Sequence, residues 1–218
     1  DEVAFGYWLR AMFGDPTTTG LEAPYTHVFK PGDEQPSLVL EQGFTDVGVY
    51  ELFNGCKISR LSLSIGGDGE LTASIDVMGA KSTVGATAFD DAPTTIALTK
   101  FNNFQASIQE GGSDLAIATT VDLEVDFALD GEQYAIGTLG TRADIPEGIM
   151  QVSGTVRAFF ESKALLEKAV NGTETSLRIK LTNGDHSLEF NLPEVTYERT
   201  SPGIEGAQGV LIELPFRA

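Results

Sequence analysis

The sequence predicts an all-β protein, a sandwich or barrel with one α-helix packed on it near 161–171. Two observations carry that expectation. Apolar residues alternate with polar ones over most of the chain, which is the two-residue period of half-buried strands. These runs are separated by Gly-rich and Pro-rich turn signals, and only two short stretches have helical period. At 218 residues with 41% hydrophobic and 21% charged content, the chain is long enough for a core and is expected to form a single domain over 1–218.

In chain order, Tyr7 to Phe13 (YWLRAMF) is predicted as a short helix ending at Gly14, so that 1–14 forms an N-terminal helical segment. Leu61, Leu63 and Ile65 alternate with Ser62 and Ser64 before Gly66-Gly67-Asp68-Gly69. Leu71, Ala73, Ile75 and Val77 then alternate with Thr72, Ser74 and Asp76, completing a hairpin with one apolar and one wet face. Asn103 to Gln109, Leu115 to Leu129 and Ile149 to Phe160 follow as strands. The middle one sets Val121, Leu123, Val125 and Phe127 against Asp122, Glu124 and Asp126. Gly111-Gly112, Asp130-Gly131 and Pro202-Gly203 separate the runs. Glu161 to Val170 is the principal helix, stopped by Asn171-Gly172. Asn183-Gly184 is expected at the centre of a type I′ turn, which places Ile179 opposite Leu188, Leu177 opposite Phe190 and Arg178 opposite Glu189. Val210 to Phe216 is the last strand.

Composition narrows function. Asp and Glu number 32 against 14 Lys and Arg, a net charge of −18. Such a surface repels phosphate backbones and acidic membranes, so tight nucleic-acid binding is not expected. No apolar run is long enough for a spanning helix, and no secretory leader pattern opens the chain. The lone Cys56 has no partner for an intramolecular disulfide and is expected as a small buried residue.

Catalytic and metal patterns fail on geometry. Asp122, Glu124, Asp126 and Asp130 have Phe127 where a calcium loop needs its turn glycine. Asp185-His186-Ser187 has the residue types of a triad, but strand neighbours alternate sides and cannot converge. Acid pairs such as Asp90-Asp91 lack the aromatic cleft of a glycosidase, since Trp8 is the sole tryptophan. Gly66-Gly67-Asp68-Gly69 is explained by a turn, and Asn171-Gly172-Thr173 by chance. No enzyme, cofactor or metal is expected.

Several segments, taken in order, resemble the major tail-tube proteins of long-tailed bacteriophages. They are YWLRAMFGDP, YTHVFKPGDEQPSLVLEQGF (a pair of strands around a Pro-rich turn), GCKISRLSLSIGGDGELTASIDVMG, FNNFQASIQEGG, VSGTVRAFFESKALLEKAVNGTETSLRIKL and the close SLEFNLPEVTYERTSPGIEGAQGVLIELPFRA. The resemblance covers essentially the whole chain and implies the tail-tube fold. It implies a virion protein made in the bacterial host cytoplasm, whose rings, usually six-fold, stack into a tube. It further implies partners in other copies and in tail proteins at the tube ends, with double-stranded DNA passing down the lumen without tight binding. Members carry a further N-terminal β-region ahead of the helix, so a cut or shortened start is expected of this chain. The alternative is a β-sandwich recognition or decoration module of a virion or cell surface, binding carbohydrate or protein.

Two faces are candidates to line a lumen. One is Ser62, Ser64, Thr72, Ser74 and Asp76, short and polar. The alternative is the acidic row Asp122, Glu124 and Asp126. The turn-rich stretches Asp15 to Gly20, Gly32 to Pro36 and Ser201 to Gly209 are expected to touch neighbouring subunits.

Overall fold

The structure, a computed structural model, describes every residue except 1–3, 33, 96–98, 116, 138, 161–162 and 201–209. Helix α1 (Ala4–Phe13) leads into strands β1 (Thr17–Thr19), β2 (Thr26–Val28), β3 (Leu38–Phe44), β4 (Val49–Gly66), β5 (Ala73–Met78) and β6 (Lys81–Gly85). A single 3-10 turn (Asn103–Gln105) precedes β7 (Ala106–Glu110), β8 (Ser113–Asp114), β9 (Ala118–Asp126) and β10 (Gln151–Phe159). Helix α2 (Ala164–Asn171), β11 (Thr175–Asn183), β12 (His186–Tyr197) and β13 (Leu211–Arg217) complete the chain.

The predicted all-β architecture is observed. Hydrogen bonding follows the path β3-β4-β9-β10-β13-β12-β11-β7-β8, with β5 and β6 on the other edge of β4. β12 is the corner: it pairs with β11 along its length but meets β13 only at Thr196–Arg217 and Tyr197–Phe216. The path therefore folds into two packed layers, β5-β4-β9-β10-β13 and β12-β11-β7-β8. Leu61, Leu63, Ile65, Val121, Leu123, Val156, Ile212 and Leu214 from the first layer share one buried cluster with Leu177, Ile179, Leu181 and Tyr197 from the second. α1 closes one side through Ala11, Met12 and a Phe13–Phe127 ring contact at 5.7 Å. α2 docks through Leu165 and Ala169 and ends on Gly172 at φ 60°.

Several boundaries differ from the sequence expectation. The hairpin turn is one residue later than predicted. Asn183 pairs with His186, so the central residues are Gly184 and Asp185, and Gly184 alone has positive φ, at 59°. A first-position glycine is what a type II′ turn requires, whereas type I′ needs positive φ at both centres. The pairing consequently shifts by two residues: Ile179 faces Phe190, Leu181 faces Leu188 and Lys180 faces Glu189. A two-residue shift keeps every side chain on its predicted face, and Arg178 still reaches Glu189 diagonally at 2.7 Å.

The segments on either side of the first Pro-rich turn do not pair with each other, because β2 joins β1 and β3 joins β4. The predicted strand from Asn103 opens as a 3-10 turn, and the strand expected over 115–129 is ordered as β9 only from Ala118 to Asp126. The helix expected from Glu161 runs from Ala164, and residues 161–162, like the Pro202-Gly203 turn, lie outside the described residues. β4 starts far earlier than expected. Its first half, flanked by β3 and β6, makes an arm with no buried residue before Cys56 among the described residues.

Candidate functional site

The second face of the first layer is polar, and it is built by strand alternation. On β4 the core residues Leu61, Leu63 and Ile65 force Arg60, Ser62 and Ser64 outward. The same rule turns out Asp122, Glu124 and Asp126 on β9. Pairing then aligns them: Ser64 lies opposite Asp122, Ser62 opposite Glu124 and Arg60 opposite Asp126. On the other edge of β4, Ser74 faces Ser62 and Asp76 faces Arg60. The hydroxyl row and the acidic row, two separate candidates in the sequence, are therefore neighbouring strands of one face.

That face continues across β10 and β13. Ser153 lies between Glu124 and Arg217, Thr155 between Asp122 and Pro215, and Arg157 between Thr120 and Glu213. Together these strands form an open hollow of about 960 Å³ whose lining includes Ser62, Ser64, Thr72, Ser74, Asp122, Glu124, Ser153 and Thr155. Asp76 and Asp126 sit on the same face beside Arg60.

The like-charged row is not left to water alone. Arg157 binds Asp122 and Glu213, both at 2.8 Å, and Arg60 reaches Asp126 at 3.1 Å and Glu124 at 3.7 Å. Arg217 binds Glu198 at 2.8 Å. Ser64 donates to Asp122 at 2.6 Å. The backbone N–H of Ala128, assisted by Arg60, holds the Asp126 carboxyl below the usual carboxylate range. Against these three arginines stand Asp76, Asp122, Glu124, Asp126, Glu198 and Glu213, so the face is net acidic with each of its cations tied to a carboxylate.

This arrangement suits neither metal nor acid–base chemistry. Carboxylates held flat in a strand row by arginines are spaced and neutralised, not converged on one point. Among the described residues no group of three His, Cys, Asp or Glu side chains gathers as metal ligands would. What the face presents instead is an open surface of short hydroxyls with more carboxylates than arginines.

A family model described as phage tail tube protein matches residues 2–218. The chain belongs to the phage tail tube protein family. No curated protein gives a significant match. Family membership makes this tail tube protein a structural component of the virion tail, self-assembling and joined to other tail proteins. No described helix is long and apolar enough to cross a membrane.

Sequence reasoning singled out β4, β5 and β9 on this face but not Gln151, Ser153, Thr155 and Arg157 on β10, nor Glu213 and Arg217 on β13. The signal was present in QVSGTVR, where polar residues occupy alternate positions, and weaker in LIELPFR, where Glu213 and Arg217 share their face with Leu211 and Pro215. What the sequence lacked was the strand order that lays those residues beside the acidic row.

Proposed function

We propose that protomers of this tail tube protein close into rings, usually six-fold, and stack so that their polar faces line one continuous bore for DNA. The observation that supports this most is the single net-acidic face spanning five strands, with each arginine on it tied to a carboxylate. A bore rich in free Lys or Arg would make many phosphate contacts and grip DNA in a salt-dependent way. Short Ser and Thr side chains keep the bore open, and the acids repel the sugar-phosphate chain across a hydrated gap. In this reading the 218 residues work as one domain. The stretches 15–20, 32–36 and 201–209 reach neighbouring copies, the second through its exposed residues, since Gln35 is buried in its own protomer; residues 33 and 201–209 lie outside the described residues. Thr17–Thr19 enters such a contact as half of a small two-stranded sheet with Thr26–Val28.

The test is the triple variant Ser62→Lys, Ser74→Lys and Asp76→Lys. Tubes should still assemble, since these side chains point away from the core, while DNA release slows and recovers as salt is raised. Intact tubes with normal release would remove this face from the bore.

A further inference from the structure

We infer that the connection from β9 to β10 is a lock on a hinge. It grips the root of the β3–β4–β6 arm from both edges of β4, through Arg142 on one side and Glu147 on the other, and so sets the angle between arm and body. Both grips lie within a single protomer, so neither depends on the ring proposed above.

The hinge lies where β4 changes both of its neighbours. On one edge, β3 pairs with β4 as far as Cys56 and β9 takes over from Arg60. On the other, β6 pairs as far as Asn54 and β5 takes over from Lys57. The register slips in the same stretch, against β3 between Phe53 and Cys56 and against β5 between Ile58 and Arg60. Irregularities of this kind bend a strand, and Gly55 at φ 62° sits inside the first of them. The ladders that would carry one sheet stiffly into the other are therefore interrupted on both sides of one short stretch.

The connection spans both interruptions. Arg142 donates from its backbone N–H to the Ala80 carbonyl at 3.1 Å and from Nη1 to the Gly79 carbonyl at 2.7 Å, which ties it to the corner between β5 and β6. On the opposite edge, Glu147 Oε1 accepts from the Gln35 N–H at 2.7 Å and from Lys57 Nζ at 3.1 Å. Gln35 in turn holds Ile58 through both polar atoms of its amide. Glu147 thus fixes the segment that leads into β3.

A lock has to be stiff and seated, and this one is both. Its two legs are cross-tied by Asp130 N–H to the Pro146 carbonyl at 2.9 Å, Gly148 N–H to the Ala128 carbonyl at 3.1 Å and Arg142 Nε to the Gly131 carbonyl at 2.6 Å. Ile145, between the two gripping residues, is only 3% exposed. Gly131 lies so close to β5 that a Cβ there would come within 2.7 Å of the Met78 sulfur. The arm's strands bury no side chain before Cys56 among the described residues, so packing of the arm itself does little to hold its direction.

Spin labels at V47C, on the turn at the arm's tip, and D185C, on the β11–β12 turn, read the arm's direction in the free protomer, where the native Cys56 is buried. With no other change, the pair should give one narrow distance distribution. R142A and E147A should each at least double its width, and the two together should widen it further, while amide exchange at Val121, Val156 and Ile179 in the body stays at its original rate. A merely stabilising role would lower the melting temperature and leave the distribution narrow, and that result would overturn the inference. So would a distribution already as broad before either truncation, or widening accompanied by loss of protection in the body, which is unfolding and not a hinge. Where a truncation does not fold, R142K or E147Q replaces it, and an unchanged width in those folded variants would overturn the inference equally.

Discussion

At the scale of residues, Gln35 does the work of a strand. β3 leaves β4 at Cys56 and β9 joins the same edge at Arg60, so Ile58 between them has no strand partner on that side. The Gln35 amide fills the gap, donating to the Ile58 carbonyl and accepting from its N–H, both at 3.0 Å. Next to it, buried Lys57 is clamped by Glu34 at 2.9 Å and Glu147 at 3.1 Å. Gln35→Ala strands two buried backbone groups and should cost about 1–3 kcal/mol for a group left unsatisfied. In a protein of this size that is a fall in melting temperature of about 2–4 °C per kcal/mol, read by thermal denaturation. The carboxyls of Asp126 and Glu189 titrate below their ordinary range, the first through Ala128 N–H and Arg60, the second through Arg178. A depressed carboxylate stabilises the fold above its unfolded pKa, about 4, and that contribution disappears as pH falls through the folded value. Asp126→Asn should therefore flatten the acid limb of a stability–pH profile below about pH 4 and leave its shape near neutrality unchanged. Arg178 beside Glu189 was legible from the hairpin, but the contacts of Gln35 with Ile58, of Lys57 with Glu34 and Glu147, and of Arg60 with Asp126 were not, because each joins segments far apart in the chain that carry no pattern of their own. Cys56 was legible, as a lone small apolar residue: it is buried, and desolvation pushes its thiol pKa up.

At the scale of elements, period-two alternation revealed most of the strands and which face each side chain takes. The hairpin at Gly184 shows the limit of that signal. Alternation defines faces, and a register displaced by two residues satisfies it equally well, so only the turn's φ requirement decides. The early half of β4 was hidden for a related reason: the arm is wet on both faces, so burial imposes no alternation, and Gly55 at φ 62° interrupts the run before the core begins. Gly154 shows what close strand packing demands. A Cβ there would press into the Asp122 carbonyl and come within 2.6 Å of the Phe216 ring, which lies across the glycine from β13. Gly154→Val should destabilise by about 1–3 kcal/mol or more, as overpacking does, measured as a lowered denaturant midpoint. The same substitution should impair tube formation, because it distorts the strands that carry the polar face.

At the scale of the whole molecule, the net charge of −18 and the polar face point the same way. The sequence supplied the charge and two rows of the face. It could not supply their union, which depends on β9 lying beside β4 and β10 beside β9, a strand order that local pattern does not encode. If this face looks onto the tube axis, a density map of tubes assembled from the purified chain will show it. The expected map shows stacked rings with Ser62, Glu124 and Ser153 directed at the axis and α2 on the outer wall. A map with α2 or the β3–β4–β6 arm facing the axis would contradict it, as would a purified chain that stays monomeric with this face open to solvent.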